Sequence, residues 1–147
     1  MKLVDIIMQY KDQPGGLIEA LHAIQKEYSY LPEDAILETA RVFNKPASEV
    51  YGVARFYSMF STTPRGKNVI RICESAPCHI AGAVEVIAAL ERELGIKMGE
   101  STEDGLFALE FTECVGQCQA TPVITVNGKP YFDVNPTTIT DILAEYK

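Results

Sequence analysis

Four cysteines in two close pairs constrain this chain more than any other feature. They are Cys73, Cys78, Cys114 and Cys118, spaced C-x4-C and C-x3-C, and there are no others among the 147 residues. The first pair reads Cys73-Glu74-Ser75-Ala76-Pro77-Cys78 and the second Cys114-Val115-Gly116-Gln117-Cys118. Residues 79–113, between the pairs, read as a helix followed by a strand. Two loops far apart in sequence can therefore each deliver two thiols to one place. A two-iron cluster needs that supply, because each tetrahedral iron takes two bridging sulfides and two protein thiolates.

The surrounding chain bears on whether these thiols are ligands or disulfides. No stretch approaches the roughly 20 apolar residues that span a bilayer. Met1–Tyr10 is apolar but interrupted by Asp5 and has no small-residue cleavage site, so it reads as a helix rather than an export signal. The expected compartment is therefore reducing and cytoplasmic, including the cytoplasmic face of a membrane complex, and there paired cysteines serve as ligands rather than as disulfides. A formal net charge of −7 argues against nucleic acid, whose phosphates repel an acidic surface.

The first part of the chain has a helical period. Leu3, Ile7 and Tyr10 share a face, Pro14-Gly15-Gly16 breaks the chain, and Leu17, Leu21, Ile24 and Tyr28 recur at amphipathic spacing. Leu31-Pro32-Glu33-Asp34 opens a third helix, with Pro and acids where a helix start favours them. Ile36, Ala40 and Phe43 form its apolar face. Asn44-Lys45-Pro46 ends it and begins a fourth carrying Val50, Val53, Ala54 and Tyr57. Four short helices on short turns predict a small bundle. Arg55, Phe56 and Tyr57 could mark a partner surface, but the two aromatics, in a helical run, are read first as core.

The composition changes at Ser61–Asn68, and the boundary is placed there: a helical bundle over 1–64 and a second domain over 65–147. Val69–Ile72 predicts a strand ending at Cys73, and His79–Leu94 a helix with Gly95 as its C-cap. Leu106–Phe111 and Pro122–Val126 predict strands, and Asn127-Gly128 is a hairpin signal before a return at Tyr131–Val134. Asn135-Pro136 opens a last helix with Ile139, Ile142 and Leu143 inward. Strand, helix, strand, strand, strand, helix, with both helices on the sheet, is a thioredoxin-like α/β arrangement.

Cys78 falls at or beside a helix N-terminus, which favours thiolate. Gly116 permits positive φ, so its loop can turn N–H groups toward sulfur. Structural zinc is the alternative for four paired thiolates, giving an interaction module with no redox role. Spacings of four and three lie at the loose end of the zinc range. A dithiol centre wants C-x-x-C, which is absent. A Rieske centre needs two histidine ligands; His22 and His79 are the only ones and fall in different proposed domains. His79 is read as a neighbour of the ligands or a helix-start residue, and His22 as packing. No nucleophile–base set, phosphate-cradling loop or dinucleotide fingerprint is present, so no catalytic residues are assigned.

Three stretches together resemble the 24-kDa subunit family of NADH dehydrogenases and NAD-linked hydrogenases. They are Leu31-Pro32-Glu33; the run Val50-Tyr51-Gly52-Val53-Ala54-Arg55-Phe56-Tyr57-Ser58-Met59-Phe60; and the four cysteines followed by Pro122-Val123. Arg55 stands where that family usually has Thr, and Thr121 where Ala is common. The resemblance implies an α+β or α/β architecture, a small N-terminal helical bundle followed by a thioredoxin-like [2Fe–2S] ferredoxin domain. It implies that Cys73, Cys78, Cys114 and Cys118 hold the cluster. It further implies a flavoprotein partner carrying FMN and binding NAD(H). The bundle is read as the docking element because it has no metal ligand set and its helices have apolar faces, some of them available for a partner. The role that the resemblance implies is that of a non-catalytic electron-transfer subunit. Such subunits occur in respiratory, formate-oxidising, hydrogenase and electron-bifurcating complexes. The lack of an extension beyond the two domains leans toward a soluble complex of the hydrogenase type.

Overall fold

The computed structural model describes residues 2–147 and divides into two compact units, Met1–Pro64 and Arg65–Lys147. In the first unit the apolar spacing yields helices α1 (Leu3–Met8), α2 (Gly16–Tyr28), α3 (Glu33–Phe43) and α4 (Ala47–Phe56). Their inward faces, with Ile7, Leu21, Ile24, Leu31, Ile36 and Val50 among them, close one core. Pro32 and Pro46 stand at the N-cap positions of α3 and α4 in extended backbone, just outside the helices. Their carbonyls accept from Ile36 and Val50. Acids fill the first turns, Glu33 and Asp34 on α3 and Glu49 on α4, where the helix dipole favours them. Asn44 ends α3 at φ 53°, a conformation Asn tolerates, and its N–H returns to Ala40 and Arg41.

The aromatic run after α4 divides. Tyr57 leaves the helix in extended backbone and packs with Phe60 against the core, ring centroids 6.3 Å apart. Phe56 points outward and is 80% exposed, so the core reading holds for Tyr57 but not for Phe56. The following segment is tied back by the buried Gln25. Its Nε2 donates to the Met59 carbonyl and its Oε1 accepts from the Ser61 N–H, both at 2.7 Å.

The second unit is a four-stranded mixed sheet, β1 (Asn68–Cys73), β2 (Phe107–Thr112), β3 (Ile124–Val126) and β4 (Lys129–Tyr131), in the order β2-β1-β3-β4. β1 and β2 are parallel, and the other neighbours are antiparallel. The parallel pair requires a long crossover. It is made by α5 (Ala76–Cys78), a wide π-type turn at His79–Ala83, and α6 (Val84–Leu94). Helix α7 (Pro136–Ala144) closes the unit, capped by Asn135, whose side chain accepts from the N–H groups of Thr137 and Thr138. Ile70, Ile72, Leu109, Ile124 and Val126 of the sheet pack with Val86, Leu90, Ile139 and Leu143 of the helices. Alternate residues carry Arg71 beside Glu110, whose carboxylate also takes Arg65 at 3.0 Å.

Several element boundaries differ from the sequence expectation, those of β2 (Phe107–Thr112 rather than Leu106–Phe111) and β3 (Ile124–Val126 rather than Pro122–Val126) among them. The segment expected to be a continuous helix over His79–Leu94 is helical only from Val84, after the wide turn. β1 begins one residue earlier than expected, at Asn68, and ends at Cys73 as expected. The hairpin returns at Lys129–Tyr131 instead of Tyr131–Val134, directly after Asn127 and Gly128 at φ 51° and 84°. Beyond Tyr131 the backbone bonds elsewhere: Asp133 N–H donates to the Ala120 carbonyl and Val134 N–H to the Pro122 carbonyl. Among the described residues, no helix is long and apolar enough to cross a membrane.

Replacing Gln25 with Ala leaves the Met59 carbonyl and the Ser61 N–H without their partner in a water-poor site. The expected loss is about 1–3 kcal/mol of stability. Equilibrium denaturation of the full chain, followed by far-UV circular dichroism, checks it.

Candidate metal centre

Because β1 and β2 run side by side in the same direction, their C-terminal ends lie together. Cys73, the last residue of β1, is in register with Thr112, the last residue of β2. The ladder continues one step further, with the Glu74 N–H donating to the Thr112 carbonyl at 3.2 Å. From this edge one loop runs to Cys78 and the other to Cys114 and Cys118. Ser75, in extended backbone, precedes α5, Pro77 lies in its first turn, and Cys78 ends it. The second loop turns at Gly116, where φ is 78°, and its N–H donates to Cys114 Sγ at 3.3 Å. Cys118 then opens a short 3₁₀ turn, Cys118–Ala120.

Both pairs of thiols are free, and they differ in exposure. Cys73 and Cys78 are buried, whereas Cys114 and Cys118 are exposed with their sulfurs 3.4 Å apart. The thiols influence one another's ionisation across the two loops. Burial is the largest influence on Cys73 and pushes its thiol up. The Ser75 hydroxyl, the Ser75 N–H and the Cys78 and Cys114 thiols together outweigh it, so Cys73 lies below the ordinary thiol value. Burial raises Cys78 against the Val123 N–H, which stabilises its thiolate, and the Cys73 thiol adds to the rise. Cys118 is raised first by its hydrogen bond with Cys114, then by burial and by the charges of Cys114 and Cys73.

Among the described residues, no three His, Cys, Asp or Glu groups converge as a single bound ion would require. A two-iron cluster distributes its ligands differently, two thiolates to each iron. The donor set fits that demand: four thiols, two from each of two adjoining loops, with N–H and hydroxyl donors directed at sulfur. His79 is exposed beside this set, and His22 lies in the other unit, its ring 4.8 Å from that of Phe60. Sequence reasoning missed Ser75 and Val123 as hydrogen-bond donors to sulfur. Ser75 had a signal, its place inside the C-x4-C loop. Val123 acts through its backbone, which no side-chain pattern reveals.

In the metal-free protein the raised Cys118 thiol holds its proton to higher pH than an ordinary cysteine. Its alkylation rate should therefore still be climbing where a free cysteine has levelled off. Cys114→Ala removes the largest cause, and the Cys118 profile should shift to lower pH. Rates measured across pH by peptide mapping check both expectations.

Comparison with known proteins covers nearly the whole chain. The family model described as thioredoxin-like [2Fe-2S] ferredoxin matches residues 3–147. A subunit of the NADH-quinone oxidoreductase of Salmonella typhimurium (strain LT2) is 41% identical over 138 residues, covering 94% of this chain and 83% of that one. HndA, a subunit of the NADP-reducing hydrogenase of Solidesulfovibrio fructosivorans, is 35% identical over 145 residues, covering 99% and 85%. An air-oxidised NAD+-reducing [NiFe]-hydrogenase crystal structure superposes with a TM-score of 0.79 at 27% identity, over 89% of this chain and 22% of the hydrogenase chain. The chain belongs to the thioredoxin-like [2Fe–2S] ferredoxin family, as one of the iron–sulfur subunits found in NADH dehydrogenases and hydrogenases.

Proposed function

We propose that Cys73, Cys78, Cys114 and Cys118 are the four ligands of a [2Fe–2S] cluster in an electron-transfer subunit of an NAD(H)-dependent oxidoreductase complex. One observation carries the assignment: the two cysteine pairs leave the same end of two adjacent parallel strands. Bound there, the cluster would supply one-electron chemistry, suited to exchange with the FMN of a flavoprotein partner that takes a hydride from NADH or returns one to NAD+. The names and likenesses of the relatives support that class of complex.

The chain's own residues divide the work. Buried Cys73 and Cys78 keep water from one side of the site, and exposed Cys114 and Cys118 leave the other side open to a partner. The Ser75 hydroxyl, the Val123 N–H and the Gly116 N–H direct positive charge at sulfur. Donors of that kind stabilise thiolate and raise the potential of an anionic cluster. The bundle is the docking element in this reading. It exposes Phe56, Tyr51 and Leu37, and a groove of about 510 Å³ lies along Leu31, Ile36, Leu37 and Tyr51.

Anaerobically purified full-length protein should be brown, hold about two irons per chain and become paramagnetic on one-electron reduction. Each single Cys→Ser change should lower iron content or shift the visible spectrum, whereas His79→Ala should keep the cluster. Colourless protein holding zinc without iron sinks the assignment and leaves a zinc-stabilised module. Iron loss from His79→Ala as complete as that from Cys78→Ala overturns the ligand set.

A fragment over 65–147 contains the whole cysteine site and its sheet. It should hold the cluster with a near-native spectrum but dock poorly. NADH-driven bleaching in the presence of the flavoprotein should then slow by about tenfold or more, as loss of the main contact residues of an interface gives. Equal rates for fragment and full chain remove the bundle from docking. A fragment that holds no iron shows instead that the two units depend on one core.

A further inference from the structure

Cys78 and Ala83 are both buried and join the same core, while His79, Ile80 and Ala81 between them are exposed. An uninterrupted α-helix cannot give this pattern. At about 100° per residue, Ala83 would lie roughly 140° around the axis from Cys78, on nearly the opposite side. In a wide turn, five residues span about one revolution, and Cys78 and Ala83 fall on one side. From Ala83 onward the ordinary period resumes, with Val86, Ala89 and Leu90 buried. The extra residue in the turn thus brings the α6 face and the Cys78 thiol into phase.

One backbone conformation permits the turn. Gly82 sits at φ 106°, ψ 23°, where residues with side chains are disfavoured. A Cβ there would meet only the flexible end of Glu85, at 3.3 Å, so the demand for glycine comes from the backbone and not from crowding.

We infer that Gly82 is a positioning residue: by allowing the wide turn, it sets the direction of Cys78 and so the placement of that thiol at the cysteine site. The inference rests on the cluster reading in that Cys78 is taken as a ligand. The turn itself can be tested without a metal.

The test compares full-length wild type, Gly82→Ala, Gly82→Asn and Gly95→Ala. Gly95 also has positive φ (68°) in open space at the far end of α6, so it controls for backbone strain remote from the cysteines. In the metal-free proteins, alkylation of Cys78 relative to Cys73 is followed by peptide mapping, with far-UV circular dichroism as the check on folding. In the loaded proteins, visible circular dichroism, midpoint potential and iron release to a chelator are followed.

Gly82→Ala should react at Cys78 about tenfold faster and release iron about tenfold faster, the scale on which supports of metal ligands act. Its visible circular dichroism and potential should shift. Gly82→Asn should lie between, since Asn tolerates positive φ, and it carries the test alone if Gly82→Ala does not fold. Gly95→Ala should match wild type. Unchanged Cys78 protection in both Gly82 variants overturns the inference, and so does an equal effect from Gly95→Ala. Wild-type protein that binds no iron overturns the cluster reading instead, while the alkylation contrast still decides the role of the turn.

Discussion

Two strands that are neighbours and parallel must finish at the same edge of a sheet, and the cysteine site depends on this. With β1 and β2 in register from Asn68↔Phe107 to Cys73↔Thr112, the loops after them start side by side although the crossover separates them in sequence. An antiparallel pairing would have put the two cysteine pairs at opposite ends of the sheet. The apolar face of the crossover helix is consequently part of the site's machinery. Val86 and Leu90 pack with Ile70, Ile72 and Leu109 and hold the strands that deliver the sulfurs.

Gathering four thiols raises an electrostatic problem that the two loops meet differently. Thiolates repel one another, and burial disfavours each charge. At Cys73 the Ser75 donors and neighbouring thiols overcome burial and bring the thiol down. At Cys78 the Val123 N–H opposes burial without overcoming it, and at Cys118 the contact with Cys114 raises the thiol. If these thiols hold the cluster as proposed, binding would have to displace the protons that Cys78 and Cys118 hold above the ordinary range, so affinity would depend on pH. The loop after Cys118 stays fixed because Asp133 and Val134 donate their N–H groups to Ala120 and Pro122. That is why the return strand gives up its expected last residues.

Much of this was legible in the sequence where one residue type forces one conformation. Asn127-Gly128 specified a turn with two positive φ values, and the chain makes it there. Asn135-Pro136 specified a capped helix start, and Asn135 caps α7. The short run Val69–Ile72, rich in β-branched residues, marked a strand, and the cysteine at its end was placed from that run. The direction of an aromatic after a helix was not legible. Phe56 and Tyr57 are adjacent, and only the change to extended backbone at Tyr57 separates the outward ring from the inward one. Backbone donors such as Val123 leave no mark on a side-chain pattern. The unequal exposure of the cysteine pairs also depends on loop path, which spacing does not encode.

The segment after Cys78 shows how a correct apolar pattern can still hide a local feature. Ala83, Val86 and Leu90 mark the α6 face in sequence as they do in the fold, so the segment reads as one helix running back toward Cys78. Periodicity averaged over such a length is insensitive to one extra residue at its start. The cysteine supplies the missing phase. If Cys78 must share the inward face, its distance to Ala83 is wrong by one residue for an α-helix and right for a wide turn. Gly82, lying between them, is the residue whose backbone can absorb the difference. The inward direction of a buried cysteine, joined to the helix period that follows it, thus locates a backbone irregularity that neither observation reveals alone.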